Sequence, residues 1–225
     1  MMKVFICGDS FACSDADSTV TPWHELLNKT VQVHNLSLTC ASNVLISLQV
    51  DAAITQGADY IICFGTSVVR HDVKLTSSNP TTTLLDRFYD FTRVLDNSNR
   101  DLISYSIMSQ HNAPFTTAQH QILKQYQTSF VDLDISIYTN KCVIENTLQK
   151  LVDSRIPFIF DQGGFEHKSF SDSTVEYFTR YRSYISDINI WDYAQTRLLR
   201  PYFHITNQEI HKTIAEYYAS KINKV

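Results

Sequence analysis

Residues 3–11 read Lys3-Val4-Phe5-Ile6-Cys7-Gly8-Asp9-Ser10-Phe11, a short apolar run broken by a glycine and two turn-forming residues. The run Val4 to Cys7 is apolar at every position, which suits a strand buried on both faces. Such strands belong to parallel sheets covered by helices on either side. Working outward, the same pattern recurs at Val31 to Leu36, Tyr60 to Phe64 and Pro157 to Phe160, with Ile188 to Trp191 a weaker fifth strand. Longer segments of helical period separate these runs, so the sequence predicts an α/β fold built on a central parallel sheet.

The helices carry start signals. Thr21-Pro22 offers a cap followed by proline at the first helical position, ahead of Trp23, Leu26 and Leu27 on one face. Thr206 with Glu209 predicts a capping box before Ile210, Ile214, Tyr217, Tyr218 and Ile222, which recur at steps of three and four. Thr116 with Gln119 forms a weaker box. Ile137, Ile144, Leu148 and Leu151 form a stripe leading to the Pro157 strand, while Val131 to Ile137 also fits period two. The polar stretch around residues 73–130, with aromatic islands at Phe88, Tyr89, Phe91, Tyr105 and Phe115, reads as a mostly helical insertion in a single domain covering 1–225.

Composition narrows the function. Lys plus Arg number 19 against 23 Asp plus Glu, a net charge of −4, which lacks the positive surplus that phosphate-backbone binding exploits. No nucleic-acid partner is expected. No apolar run approaches the roughly 20 residues of a membrane span, and Val4 to Cys7 is shorter than the ~7–15-residue apolar region of a signal peptide. Cys7, Cys13, Cys40, Cys63 and Cys142 are odd in number and unpaired in spacing, which favours a reducing compartment. With neither a signal peptide nor a span, a cytoplasmic protein is expected; no metal is expected, because no three ligands lie at recognisable spacing, and no other cofactor is implied. Gly163-Gly164 lacks the context of a nucleotide loop and reads as a turn after the Pro157 strand.

The chemistry concentrates at the two ends of the chain. Gly8-Asp9-Ser10 puts a serine on a strand-to-helix turn at the carboxyl end of the sheet, the edge where open α/β sheets bind ligands. A serine on such a turn can present its hydroxyl beside backbone N–H groups that face a developing oxyanion. The same three residues are also common in ordinary turns. Pro201-Tyr202-Phe203-His204 places a histidine just before the last helix, and His is the side chain best suited to act as the base for such a serine.

These residues together resemble the SGNH or GDSL-type hydrolases, esterases with a flavodoxin-like three-layer α/β/α fold, and the resemblance covers most of the chain. It implies Ser10 as nucleophile and His204 as base. The segment Asn35 to Asn43 is similar to the family's second block, with Cys40 where a glycine would stand, so its backbone N–H is implied as an oxyanion donor with that of Ser10. Gly65-Thr66-Ser67-Val68 replaces the usual Gly-x-Asn-Asp, leaving a Thr66 or Ser67 hydroxyl in place of the Asn amide. The run Tyr60 to Asp72 looks like a subgroup common among phage and environmental sequences, in which a Thr and a downstream Arg and acid replace that Asn; a virus-encoded protein is one implication. Arg70 and Asp72 read either as an ion pair at a helix start or as groups orienting an anionic substrate, and Asp9 and Asn43 join them as further candidates.

The acid expected just upstream of the histidine is missing, since positions 201 and 202 are Pro and Tyr. A backbone carbonyl, Asp192 or Asp187 is left to orient the imidazole. His211 reads as a structural hydrogen-bonding residue. The expected function is a serine esterase using a Ser10–His204 pair on a small-molecule, carbohydrate or lipid ester. The alternatives are a binding module that keeps the fold without efficient turnover, and an acyltransferase using the same pair.

Overall fold

The computed structural model describes residues 1–13, 20–38, 41–67, 70–74, 102–105, 117–163, 179–190, 205 and 207–224. Its strands are β1 (Lys3–Cys7), β2 (Gln32–Asn35), β3 (Tyr60–Phe64), β4 (His71–Lys74), β5 (Leu102–Tyr105) and β6 (Phe158–Asp161). Its α-helices are α1 (Trp23–Leu27), α2 (Asn43–Thr55), α3 (Thr117–Phe130), α4 (Leu133–Ser154) and α5 (Gln208–Ile222). The central sheet has four strands in the order β2-β1-β3-β6, all parallel. The predicted α/β class is therefore the observed one.

The sheet is buried from both sides by strict alternation. Val4, Ile6, Tyr60, Ile62, Phe64 and Ile159 face a core shared with Trp23 and Leu27 of α1 and Ile210, Ile214 and Tyr218 of α5. Phe5, Cys7, Ile61, Cys63, Phe158 and Phe160 face a second core with Leu45 and Val50 of α2 and Leu148 and Leu151 of α4. Two helices on each face of one parallel sheet make a three-layer α/β/α sandwich. Placing the first strand between the second and third creates a switch point between β1 and β3, and in open α/β sheets the ligand crevice lies at such a point, outside the carboxyl ends.

Several local readings shift. Pro22 is itself the N-cap of α1 in extended conformation rather than its first helical residue. The cap of α5 is Asn207, whose side chain accepts from the Glu209 N–H, one residue beyond the predicted Thr206. The ambiguous stretch after Val131 is helical from Leu133, because Asp132 caps it by accepting from the Ile135 N–H.

The expected fifth strand at Ile188 to Trp191 is corrected over its described part, Ile188 to Ile190, while Trp191 lies outside the described residues. Pairing reduces to an isolated bridge of Ile185 with Phe160. Beyond it the Tyr217 hydroxyl accepts from the Asp187 N–H and Ser186 Oγ from the Ile188 N–H, so side chains take the donors a ladder would need. Within the expected helical insertion, β4 pairs antiparallel with β5, and α3 follows. The expected box at Thr116 and the aromatic islands at Phe88, Tyr89, Phe91 and Phe115 lie outside the described residues. No helix among the described residues is long and apolar enough to cross a membrane.

Candidate functional site

The crevice is built from glycines where chains come too close for side chains. A Cβ on Gly8, just after β1, would stand 3.0 Å from Ala12 Cβ and 3.1 Å from Phe64, so glycine lets the turn lie flat on the end of β3. Gly163, with φ +60°, lies so tightly over Gly65 that an added Cβ would be 1.9 Å from the Gly65 carbonyl oxygen. The loops after β3 and β6 thus meet backbone to backbone.

Ser10 sits at the start of a helical turn. The Asp9 carbonyl accepts from the N–H groups of Ala12 at 3.0 Å and Cys13 at 3.2 Å, and Asp9 Oδ1 accepts from the Phe11 N–H at 3.1 Å. These bonds bracket the Ser10 peptide from both sides. The Ser10 side chain is half-buried.

Asp9 itself points inward. It is 1% exposed, and its Oδ2 accepts from Thr66 Oγ1 at 2.6 Å and from Arg70 Nη1 at 2.9 Å. A carboxylate so buried is tolerable only when paired and hydrogen-bonded, and here the bonds from Phe11, Thr66 and Arg70 satisfy it. The same Nη1 of Arg70 donates to the Ala41 carbonyl at 2.8 Å, tying the loop after β1 to the loop before α2.

A second set of bonds braces the loop after β3. Asn43 Oδ1 accepts from the Thr66 N–H at 3.0 Å, and Asn43 Nδ2 donates to the Thr66 carbonyl at 3.0 Å and to Asn140 Oδ1 on α4 at 2.8 Å. Gln49, fully buried on α2, does the same for Gly8, its Oε1 accepting from the N–H at 2.6 Å and its Nε2 donating to the carbonyl at 3.2 Å. Both donors of Thr66 are committed inside the protein, as are both hydrogens of Asn43. Ser67 is buried beside them.

A relay on the opposite face links the turn to the end of the chain. Trp23 Nε1 donates to the Phe11 carbonyl at 3.2 Å, and the Trp23 N–H donates to His211 Nδ1 at 3.2 Å. With Nδ1 accepting, the His211 proton is on Nε2, which donates to the Ile205 carbonyl at 3.0 Å. His211 is thus a structural residue. Burial lowers its pKa, a shift partly offset by the bond to Ile205. Beside it, burial and then the nearby His211 push His24 down to about 4. Asp161 is the buried last residue of β6. Its carboxylate accepts from the Gly163 N–H at 2.8 Å and from the Tyr218 hydroxyl at 3.1 Å.

The sequence-predicted residues Asp9, Ser10, Asn43, Thr66, Ser67 and Arg70 come together at this edge. Asp187 does not join them: its side chain is 74% exposed and ion-paired with Lys221 on α5. Asp72 is in β4 opposite Ser104. Cys40, Asp192 and His204 lie outside the described residues. Reading the sequence missed Gln49, Asn140, Asp161 and the role of Trp23. A polar residue inside an otherwise apolar helical face was the available signal for Gln49 and Asn140. Among the described residues no group of three or more His, Cys, Asp or Glu is placed to hold a metal ion. No protein-family model matches the chain, and no curated protein matches it at a significant level.

Proposed function

We propose that the protein is a serine ester hydrolase in which Ser10 is the nucleophile and His204 the general base. The observation that carries this reading is the relay through Trp23. Phe11, next to Ser10, and Ile205, next to His204, are joined through Trp23 and His211, which supports bringing the two reactive residues to the same crevice. The nucleophile would stand at the switch point of a parallel sheet, on a turn whose geometry is set by Asp9.

In this mechanism Ser10 Oγ attacks the ester carbonyl carbon while His204 takes its proton. His204 then returns that proton to the departing alkoxide, and the alcohol leaves an acyl-serine. Water attacks the acyl carbon, losing a proton to His204, and the carboxylic acid departs as Ser10 is regenerated. Backbone N–H groups at positions 10 and 40 would receive the oxyanion. Thr66 has both its donors engaged by Asp9 and Asn43, so its hydroxyl serves to hold the loop after β3. The substrate would be a small-molecule, carbohydrate or lipid ester.

Intact-mass labelling with a fluorophosphonate, alongside hydrolysis of a short-chain aryl ester, tests the reading. Stoichiometric labelling of the wild type, abolished in Ser10→Ala and reduced at least about 100-fold in His204→Ala, is the expected result. A folded wild type that neither labels nor hydrolyses overturns it in favour of a binding module. Transfer of the acyl group to an added alcohol in preference to water would identify an acyltransferase.

A further inference from the structure

We infer that Arg70 is the positioning residue of the site, holding the nucleophile turn and the loop before α2 in one register. The inference rests on the hydrolase reading and deepens it. One nitrogen, Nη1, donates both to Asp9 Oδ2 at 2.9 Å and to the Ala41 carbonyl at 2.8 Å. Asp9 passes the constraint to Ser10 through its bond to the Phe11 N–H at 3.1 Å. Ala41 passes it along the β2–α2 loop, because its own N–H donates to the Leu38 carbonyl at 3.0 Å and the Leu38 N–H donates to the Gly8 carbonyl at 3.1 Å.

The circuit Gly8–Asp9–Arg70–Ala41–Leu38–Gly8 is closed, so the spacing between Asp9 and Ala41 cannot change without breaking a bond. Arg70 is 8% exposed and Asp9 1% exposed, so the pair is roofed by protein. A buried guanidinium bound in this way is a fixed strut rather than an exposed anion receptor. An oxyanion site assembled from two loops needs such a strut, because a displacement of about 1 Å can cost on the order of 100-fold in rate.

The test is a double-mutant cycle read in two ways. Wild type, Arg70→Gln, Asp9→Asn and the double variant are compared by fluorophosphonate labelling rate and by kcat and KM on an aryl ester. Hydrogen exchange is followed in peptides spanning residues 8–13 and 37–43. Arg70→Lys, which keeps the charge, carries the same measurements should Arg70→Gln fail to fold.

The expected result is a fall of at least about tenfold in kcat and labelling rate with KM within about twofold. The double variant should be no worse than the poorer single one, and exchange should speed up in both peptides together. Effects that multiply in the double variant, a raised KM at unchanged kcat, or exchange that changes in neither or only one peptide would overturn the positioning role. A wild type that neither labels nor hydrolyses would overturn the hydrolase reading and the catalytic meaning of the strut. The exchange data would then still decide whether Arg70 couples the two loops.

Discussion

Two residues at the crevice are held by geometry that admits little substitution. Gly163→Ala would place a methyl group 1.9 Å from the Gly65 carbonyl oxygen at φ +60°, forcing the loops after β3 and β6 apart. A loss on the order of 3 kcal/mol in denaturant unfolding is expected. Thr66→Val keeps the shape of the side chain but removes a donor from a buried carboxylate. About 1–3 kcal/mol should be lost, measurable by urea titration, with the proposed ester activity falling alongside. At this scale the sequence was partly legible. Gly8-Asp9-Ser10 announced its turn, because turn chemistry is local. That Asp9 faces Arg70 rather than substrate was not legible, since the partners lie 61 positions apart and only the fold brings them together. Gln49 and Asn140 were hidden for the same reason, being polar residues whose partners are backbone or side-chain groups 41 and 97 positions away.

Elements built on continuous apolar runs were legible almost to the residue. Lys3–Cys7 and Tyr60–Phe64 form strands where expected because burial on both faces leaves an unmistakable pattern. Ile188 to Ile190 misled, because apolar residues specify burial but not a hydrogen-bonded neighbour, and the Ser186 hydroxyl takes the Ile188 N–H. Caps were legible only to within a residue, as Asn207 in place of Thr206 illustrates. The pairing of α1 with α5 carries a pH dependence through His24 and His211. Both have lowered pKa values in the fold, so below about pH 6.5 the unfolded chain binds more protons than the folded one. Stability conferred by these groups is complete above that pH and is lost as pH falls toward about 4. After allowance for solvent screening, a loss of roughly 2 kcal/mol is expected across this window. Thermal melts at successive pH values should show it, and His24→Gln should flatten the decline.

Across the whole molecule, the thiols among the described residues divide by depth. Cys7 and Cys63 stand opposite one another in register on β1 and β3, fully buried, and burial pushes both thiols up. Cys142 on α4 is exposed and Cys13 partly so. A water-soluble thiol reagent should therefore modify Cys142 within minutes in the native state. Cys7 and Cys63 should react only as fast as the sheet opens, at least about a thousandfold more slowly by mass spectrometry of digests. Trp23 occupies a different kind of centre. It is 1% exposed, its ring lies 5.0 Å from Tyr218 and 5.8 Å from Phe64, and its two N–H groups donate to the Phe11 carbonyl, beside Ser10, and to His211, which in turn bonds Ile205. The chain has only one other tryptophan. In a Trp191→Phe background, the emission of this single indole becomes an optical gauge of the crevice, its wavelength and quenching tracking any ligand that tightens or loosens the link between the two ends of the chain.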